Sequence, residues 1–227
     1  MKQTPATEVH NADLLDLIPE SAHKLVEVGC STGALAKAYK VKNPGSEYIG
    51  IEVESSYAEV AREFCDTCIV GNIEDFESDF WKAHGDVDCW IFGDVLEHLK
   101  DPWSTLAHIR EVIPREACVV ACVPNAQHWS IQVRLSVGDF RYEDSGLLDR
   151  THLRWFTRQT LVELFQQTGF QITEGRPRVL KETHREKFIP LIGQLAKEAG
   201  ADPDIAMKDA VPFQFVIKAS PVASERR

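Results

Sequence analysis

Four residues in the first quarter of the chain have types and spacing suited to holding a charged nucleoside: Glu27, Gly29, Gly33 and Glu52. They belong to LVEVGCSTGALAKAY (25–39) and to GIEV (50–53). Gly29 can take backbone angles that other residues resist, and it presents no side chain to a ligand. Gly33 lets a helix begin close to the preceding strand. Glu27 is an acid inside an apolar run, where a charge needs a partner and a cationic ligand group would serve. Glu52 follows Gly33 by 19 residues, where an acid accepts both hydroxyls of a ribose. The spacing is Gly-x-x-x-Gly, not Gly-x-Gly-x-x-Gly, so the glycine that brings a backbone up to a pyrophosphate is missing.

A second group lies further along. FGDVLEHLKDP (92–102) carries Asp94, Glu97 and His98, and GLLDRTHLRWFT (146–157) carries Asp149, Arg150, His152 and Arg154 among aromatics. An alcohol nucleophile gains from a base that takes its proton, and imidazole has a suitable ordinary pKa. His152 is the candidate base, with Asp149 or Asp94 to orient it and His98 or His128 as other candidates. Arg141, Arg150 and Arg154 suit a carboxylate or phosphate on the acceptor.

These residues need a frame that brings loops together. Continuous apolar strands are expected at 24–30, 47–53, 67–71, 86–94 and 117–124, alternating with helices at 33–41, 56–65, 75–83 and 101–113. Asp101 as N-cap and Pro102 at the first helical position mark the start of the last of these. A helix over 158–168 follows, capped by Thr157 and ended by Gly169. Then come a strand over 170–180, a helix within 184–200 despite Pro190, and a strand over 211–220. This alternation describes an α/β fold: a doubly wound, mostly parallel seven-stranded sheet covered on both faces. One domain over 1–227 is expected, with 1–10 a mobile lead-in and 125–156 a substrate lid inserted after the fifth strand.

The ligand that satisfies the first group has a ribose, no phosphate, an ammonium and a sulfonium, which describes S-adenosylmethionine. VEVGCSTG (26–33) resembles the first motif of class I S-adenosylmethionine-dependent methyltransferases, E/D-x-G-x-G-x-G, with Ser31 in place of the second glycine. The resemblance continues through GIEVE, VGNIEDF, FGDVLEHLKDP and VPN, over roughly residues 11–175. It implies that Glu27, Gly29, Cys30, Ser31 and Gly33 form the methionine-side loop. It implies that Glu52 and Val53 hold the ribose end, that Asn72 and Ile73 flank the adenine, and that Asp94 stands between donor and acceptor. Asp94-x-x-Glu97-His98 resembles the E-x-x-E-H segment of ubiquinone-biosynthesis O-methyltransferases, which is associated with a divalent cation. The resemblance would make those three residues ligands for Mg²⁺ or Mn²⁺. Metal independence is nevertheless the expectation, since aspartate in place of the first glutamate shortens the reach. The 146–157 segment resembles strings in bacterial methyltransferases of surface-polysaccharide and antibiotic-sugar pathways. O-methylation of a small molecule or glycan hydroxyl is therefore expected. The alternatives are a non-catalytic donor-binding protein of the same fold and a nicotinamide-dependent oxidoreductase.

Composition narrows the classes. The chain has 227 residues, 44% hydrophobic and 26% charged, which are globular values. A formal charge of −10 argues against non-specific binding to nucleic acid or anionic membrane. No apolar run is long enough to span a bilayer, and the first residues lack the apolar core of a signal peptide, so a cytoplasmic protein is expected. The six cysteines are expected to be free. Cys65 and Cys68 form a C-x-x-C without the second pair that a zinc site needs.

Overall fold

Apolar side chains at alternate positions of each central strand decide the architecture. In β1 (Lys24–Val28), Val26 and Val28 face one core while Leu25 faces the other. The computed structural model describes residues 9–223. Seven strands form one sheet: β1, β2 (Glu47–Glu52), β3 (Thr67–Val70), β4 (Cys89–Gly93), β5 (Cys118–Pro124), β6 (Phe170–Arg178) and β7 (Gln214–Pro221), in the order β3-β2-β1-β4-β5-β7-β6. The first five run parallel, and β7 is antiparallel to both β5 and β6. The strand order reverses at β1, between β2 and β4, which is where such sheets open a crevice for ligands.

Helices α1 (Ala12–Leu17), α2 (Ala34–Lys42) and α3 (Ser55–Ala61) bury Leu14, Leu17, Leu35, Tyr39 and Ala61 on one face. Helices α4 (Ser78–Ala83), α5 (Pro102–Val112) and α7 (Arg158–Gln167) bury Trp81, Leu106, Ile109, Leu164 and Phe165 on the other. Asp101 caps α5 by accepting from the Ser104 N–H at 3.0 Å, and Thr157 caps α7 in a reciprocal box with Thr160. Helix α8 (Arg185–Glu198) contains Pro190 and packs on α9 (Pro203–Asp209).

Several elements differ from the sequence reading. The lead-in is expected to run to residue 10, and residues 1–8 lie outside the described residues. Asn11 already caps α1, through bonds from the N–H groups of Asp13 and Leu14. The 75–83 helix is a 3-10 turn (Ile73–Asp75) followed by α4. Helix α3 starts at Ser55 with Glu54 as its N-cap, and it ends at Ala61, short of the expected 65. The expected lid segment contains helix α6 (Trp129–Ser136), and its far end is anchored by buried Leu147, Leu148 and Phe156. Helix α9 opens with Asp202 as N-cap and Pro203 at its first turn, the same signal that marks α5.

Candidate functional site

The loop after β1 is built around three left-handed residues: Gly29 (φ +70°), Ser31 (φ +49°) and Gly33 (φ +79°). A Cβ at residue 29 would lie 2.6 Å from Val95 Cγ2, so the loop after β4 closes directly on this glycine. Ser31 adopts the backbone conformation that the missing glycine would take freely, so the loop follows its path at a cost in strain. The Gly29 and Cys30 N–H groups both donate to the Ile51 carbonyl, at 2.8 and 3.1 Å. Glu52 braces the same loop. Its Oε2 accepts from the Ser31 N–H at 2.8 Å and its Oε1 from the Glu54 N–H at 3.0 Å.

Other residues of the expected donor set sit differently. Glu27 points into the core, where the Tyr48 hydroxyl donates to its Oε2 at 2.9 Å. Burial pushes its carboxyl well above the usual range, with Cys65 adding to the rise. The Tyr48 phenol is thus a partner of this acid within the core. Cys30 turns its side chain into the same core, with Sγ 3.9 Å from Cys68 Sγ, so only its backbone faces the loop. The Ile73 side chain is likewise in the core, and Asn72 spends its carbonyl oxygen on the Glu74 N–H at 3.1 Å. Val53 is 56% exposed beside Glu52, an apolar surface that a flat base could cover.

At the end of β4, Asp94 also takes a left-handed conformation (φ +57°). Its Oδ1 accepts from Gln214 Nε2 of β7 and from Cys122 Sγ of β5. Arg178 extends the chain by donating to Gln214 Oε1 at 2.8 Å. Burial raises the Asp94 carboxyl to about 6, against the lowering pull of Cys122, Arg178 and Gln214.

One 3-10 turn further on (Leu96–His98), Glu97 and His98 meet His152 from the 146–157 segment. The main chains are stitched together: the Leu153 and Arg154 N–H groups donate to the Glu97 carbonyl at 2.8 and 2.9 Å. His98 Nδ1 lies 3.2 Å from the Thr151 carbonyl and 3.1 Å from its hydroxyl, and the hydroxyl lies 2.6 Å from Asp149 Oδ1. Burial first, then Asp94 and Asp149, raises the Glu97 carboxyl well above its usual range. Burial first, then the neighbouring His98, lowers His152 to about 4. His152 is thus a weaker base than a solvated imidazole, contrary to the reason for choosing it from sequence.

The remaining candidates are occupied elsewhere. His128 is completely buried, with Ser130 Oγ 2.8 Å from its Nδ1 and Glu182 Oε2 3.2 Å from its Nε2. Arg141, 85% exposed, pairs with Asp139, Arg150 pairs with Asp144, and Arg154 donates to the Lys100 carbonyl. No described side-chain contact brings these three guanidinium groups to the Glu97 cluster; Arg154 meets it through its backbone N–H alone.

The sequence profile of the methyltransferase-domain family matches residues 6–174. The chain belongs to the class I S-adenosylmethionine-dependent methyltransferases. No curated protein matches this methyltransferase. Its fold is similar to that of an S-adenosylmethionine-dependent methyltransferase from Mesorhizobium loti, at 13% identity and a TM-score of 0.59, over 91% of this chain and 95% of that one. It is similar to magnesium protoporphyrin IX methyltransferase from Synechocystis PCC 6803 with bound SAH, at 12% identity and a TM-score of 0.54, over 87% and 73% of the two chains. It is also similar to mitomycin 7-O-methyltransferase, at 13% identity and a TM-score of 0.58, covering 92% of this chain and 52% of that one. The methyl donor of this methyltransferase is S-adenosylmethionine. The braced loop and the acid at its rim fit that group.

Sequence reasoning missed Gln214, which reaches Asp94 from a strand 120 residues away. It also left Glu97 outside the catalytic set and missed Asn11, whose side chain lies 3.3 Å from Cys122 Sγ, next to Asp94. A buried acid beside a histidine in a turn was a usable signal for Glu97. The other two had none. Among the described residues no helix is long and apolar enough to cross a membrane.

Proposed function

We propose that this methyltransferase methylates an oxygen of a small molecule or sugar, with the acceptor hydroxyl held between Asp94 and the Glu97–His98–His152 cluster. The observation that carries the reading is this cluster: Glu97 and His98 stand on the loop that follows β4, and Val95 of that same loop closes on Gly29 of the donor loop. The bound donor supplies a methyl on a sulfonium, ready for in-line displacement. Glu52 accepts the ribose hydroxyls while bracing Ser31. Val53 and the backbone at Asn72 and Ile73 receive the base. The backbone of Gly29, Cys30, Ser31 and Gly33 lines the methionine side, near the buried Glu27. Asp94, held by Gln214 and Cys122, faces the sulfonium and the acceptor. His98 and His152 serve as the acceptor-side catalytic residues. Residues 125–156 cover the acceptor and keep water out.

The mitomycin enzyme, an O-methyltransferase by its name, supports the choice of oxygen. The test is a panel of hydroxylated acceptors with labelled S-adenosylmethionine, run beside calorimetry of donor binding. Turnover with a hydroxylated acceptor upholds the reading. Donor binding without turnover on any acceptor points to a non-catalytic protein, and tight nicotinamide dinucleotide binding overturns the donor assignment.

A further inference from the structure

Glu97 is 1% exposed, and neither of its carboxylate oxygens has a hydrogen-bond partner among the described residues. A buried acid is normally paired, hydrogen-bonded or bound to a metal. Two imidazoles surround this one. His152 Nε2 lies 3.9 Å from Glu97 Oε1, and single donor atoms of Glu97, His98 and His152 all lie within 4.8 Å of one another.

The rings are oriented from behind. The Thr151 hydroxyl gives its proton to Asp149, so it accepts from His98 Nδ1–H, and the Thr151 carbonyl accepts from the same N–H. That bond fixes the tautomer and leaves Nε2 of His98 with a lone pair. The Leu147 backbone lies behind the His152 ring and opposes part of the lowering that burial imposes on it. Neutral imidazoles whose other nitrogen is tied to a carbonyl are the usual partners of a protein-bound metal.

We propose that Glu97, His98 and His152 bind a divalent transition-metal ion of the Zn²⁺, Mn²⁺, Fe²⁺ and Co²⁺ class. Two imidazole nitrogens and one carboxylate suit such ions better than Mg²⁺, which prefers an all-oxygen shell. Ligand atoms at about 2.0–2.2 Å from an ion lie roughly 3–3.6 Å apart, so small side-chain rotations close the site. Asp94 is not a ligand of this site: its carboxylate stands outside the three converging ligand atoms, with Oδ1 held by Gln214 and Cys122. The set therefore differs from the Asp94, Glu97 and His98 implied by the sequence resemblance, and it replaces the expected metal independence. The ion ties the 146–157 segment to the turn after β4. Three protein ligands leave a position for an oxygen. On the methyl-transfer reading, that position takes the acceptor hydroxyl and makes it more acidic, and His152 is then a ligand and not the base. That role rests on the reading above, whereas the ion site stands without it.

The test uses the full chain stripped of metal. It is titrated with Co²⁺ by visible absorption and with Zn²⁺ and Mn²⁺ by calorimetry. One ion per chain is expected, without sulfur-to-metal charge-transfer bands. Affinity should fall by roughly a hundredfold or more in Glu97→Gln and His152→Ala, more than loss of a supporting residue costs, and persist in Asp94→Asn. Circular dichroism confirms that each variant folds. If His152→Ala does not, the near-isosteric Glu97→Gln decides. No uptake by the wild type, uptake unchanged in Glu97→Gln, uptake that requires Asp94, or thiolate bands that place the ion on the cysteines would each overturn the site. Donor binding is measured on the same samples. An intact donor site without ion binding sinks this inference alone, and ion binding without donor binding sinks the methyl-transfer reading alone.

Discussion

The two ends of the crevice are stabilised in opposite ways. At the donor end, backbone groups are already paired: Gly29 and Cys30 on Ile51, Ser31 and Glu54 on Glu52. At the acceptor end, the buried groups are titratable, and the Glu97 carboxylate has no hydrogen-bond partner among the described residues. A site that is complete before its ligand arrives can bind tightly with little rearrangement. A site holding an unmet carboxylate is expensive on its own and is retained where something will meet it. The difference separates holding the donor from acting on the acceptor.

Four measurements break or sharpen that separation. The largest effect is expected for His152→Ala. Single-turnover methyl transfer should fall by about 10²–10⁴, with donor affinity nearly unchanged. Loss of donor binding in this variant would show that the two ends form one unit. Next, Glu52→Ala should weaken donor binding by about 1–3 kcal/mol, since the Ser31 and Glu54 N–H groups lose their acceptor along with the ribose. Calorimetry that finds wild-type affinity would remove Glu52 from the site.

A smaller effect concerns Asp94, whose carboxyl sits at about 6. Below that pH it is neutral and above it is charged, so affinity for a sulfonium donor should rise as pH increases from 5 to 7, by at most about tenfold per pH unit. In the free protein the same shift works the other way. The unfolded aspartate ionises near 3.8, so the stability this group contributes is present below that pH and lost as pH rises through 6. Donor titrations on Asp94→Asn should show no slope over this window, and a slope that persists would assign it to another group. The smallest effect belongs to Ser31→Gly. Relieving φ +49° should add about 1 kcal/mol and raise the melting temperature by roughly 2–4 °C, leaving donor affinity unchanged. A drop in stability would mean that the serine side chain contributes something the backbone does not.

The donor end was legible in sequence because its requirements are local. Gly29, Ser31 and Gly33 lie within five residues, and the acid at the end of the next strand follows from the βαβ repeat. Side-chain direction was not legible. Cys30 and Ile73 belong to the right loops yet point into the core, as strand and turn geometry dictates. At the acceptor end, His98 meets a residue 53 positions away. Nothing in either segment alone states that they touch. Helix α9 carries the same Asp-Pro start as α5, but its few apolar residues left no period to notice. Helix α6 was hidden in a stretch of mixed aromatics and arginines.

The sheet's order also has a consequence for synthesis. The seventh strand is the sixth in space, seated between β5 and β6. On the ribosome, β5 emerges with an open edge, and β6 has no neighbour until Gln214–Pro221 arrives. The same late strand delivers Gln214 to Asp94. A nascent chain therefore waits with apolar Val119–Val123 backbone unpaired on one side, a template for pairing with another chain. A chain that has not yet placed residue 214 has its donor loop but neither a finished sheet nor a held Asp94.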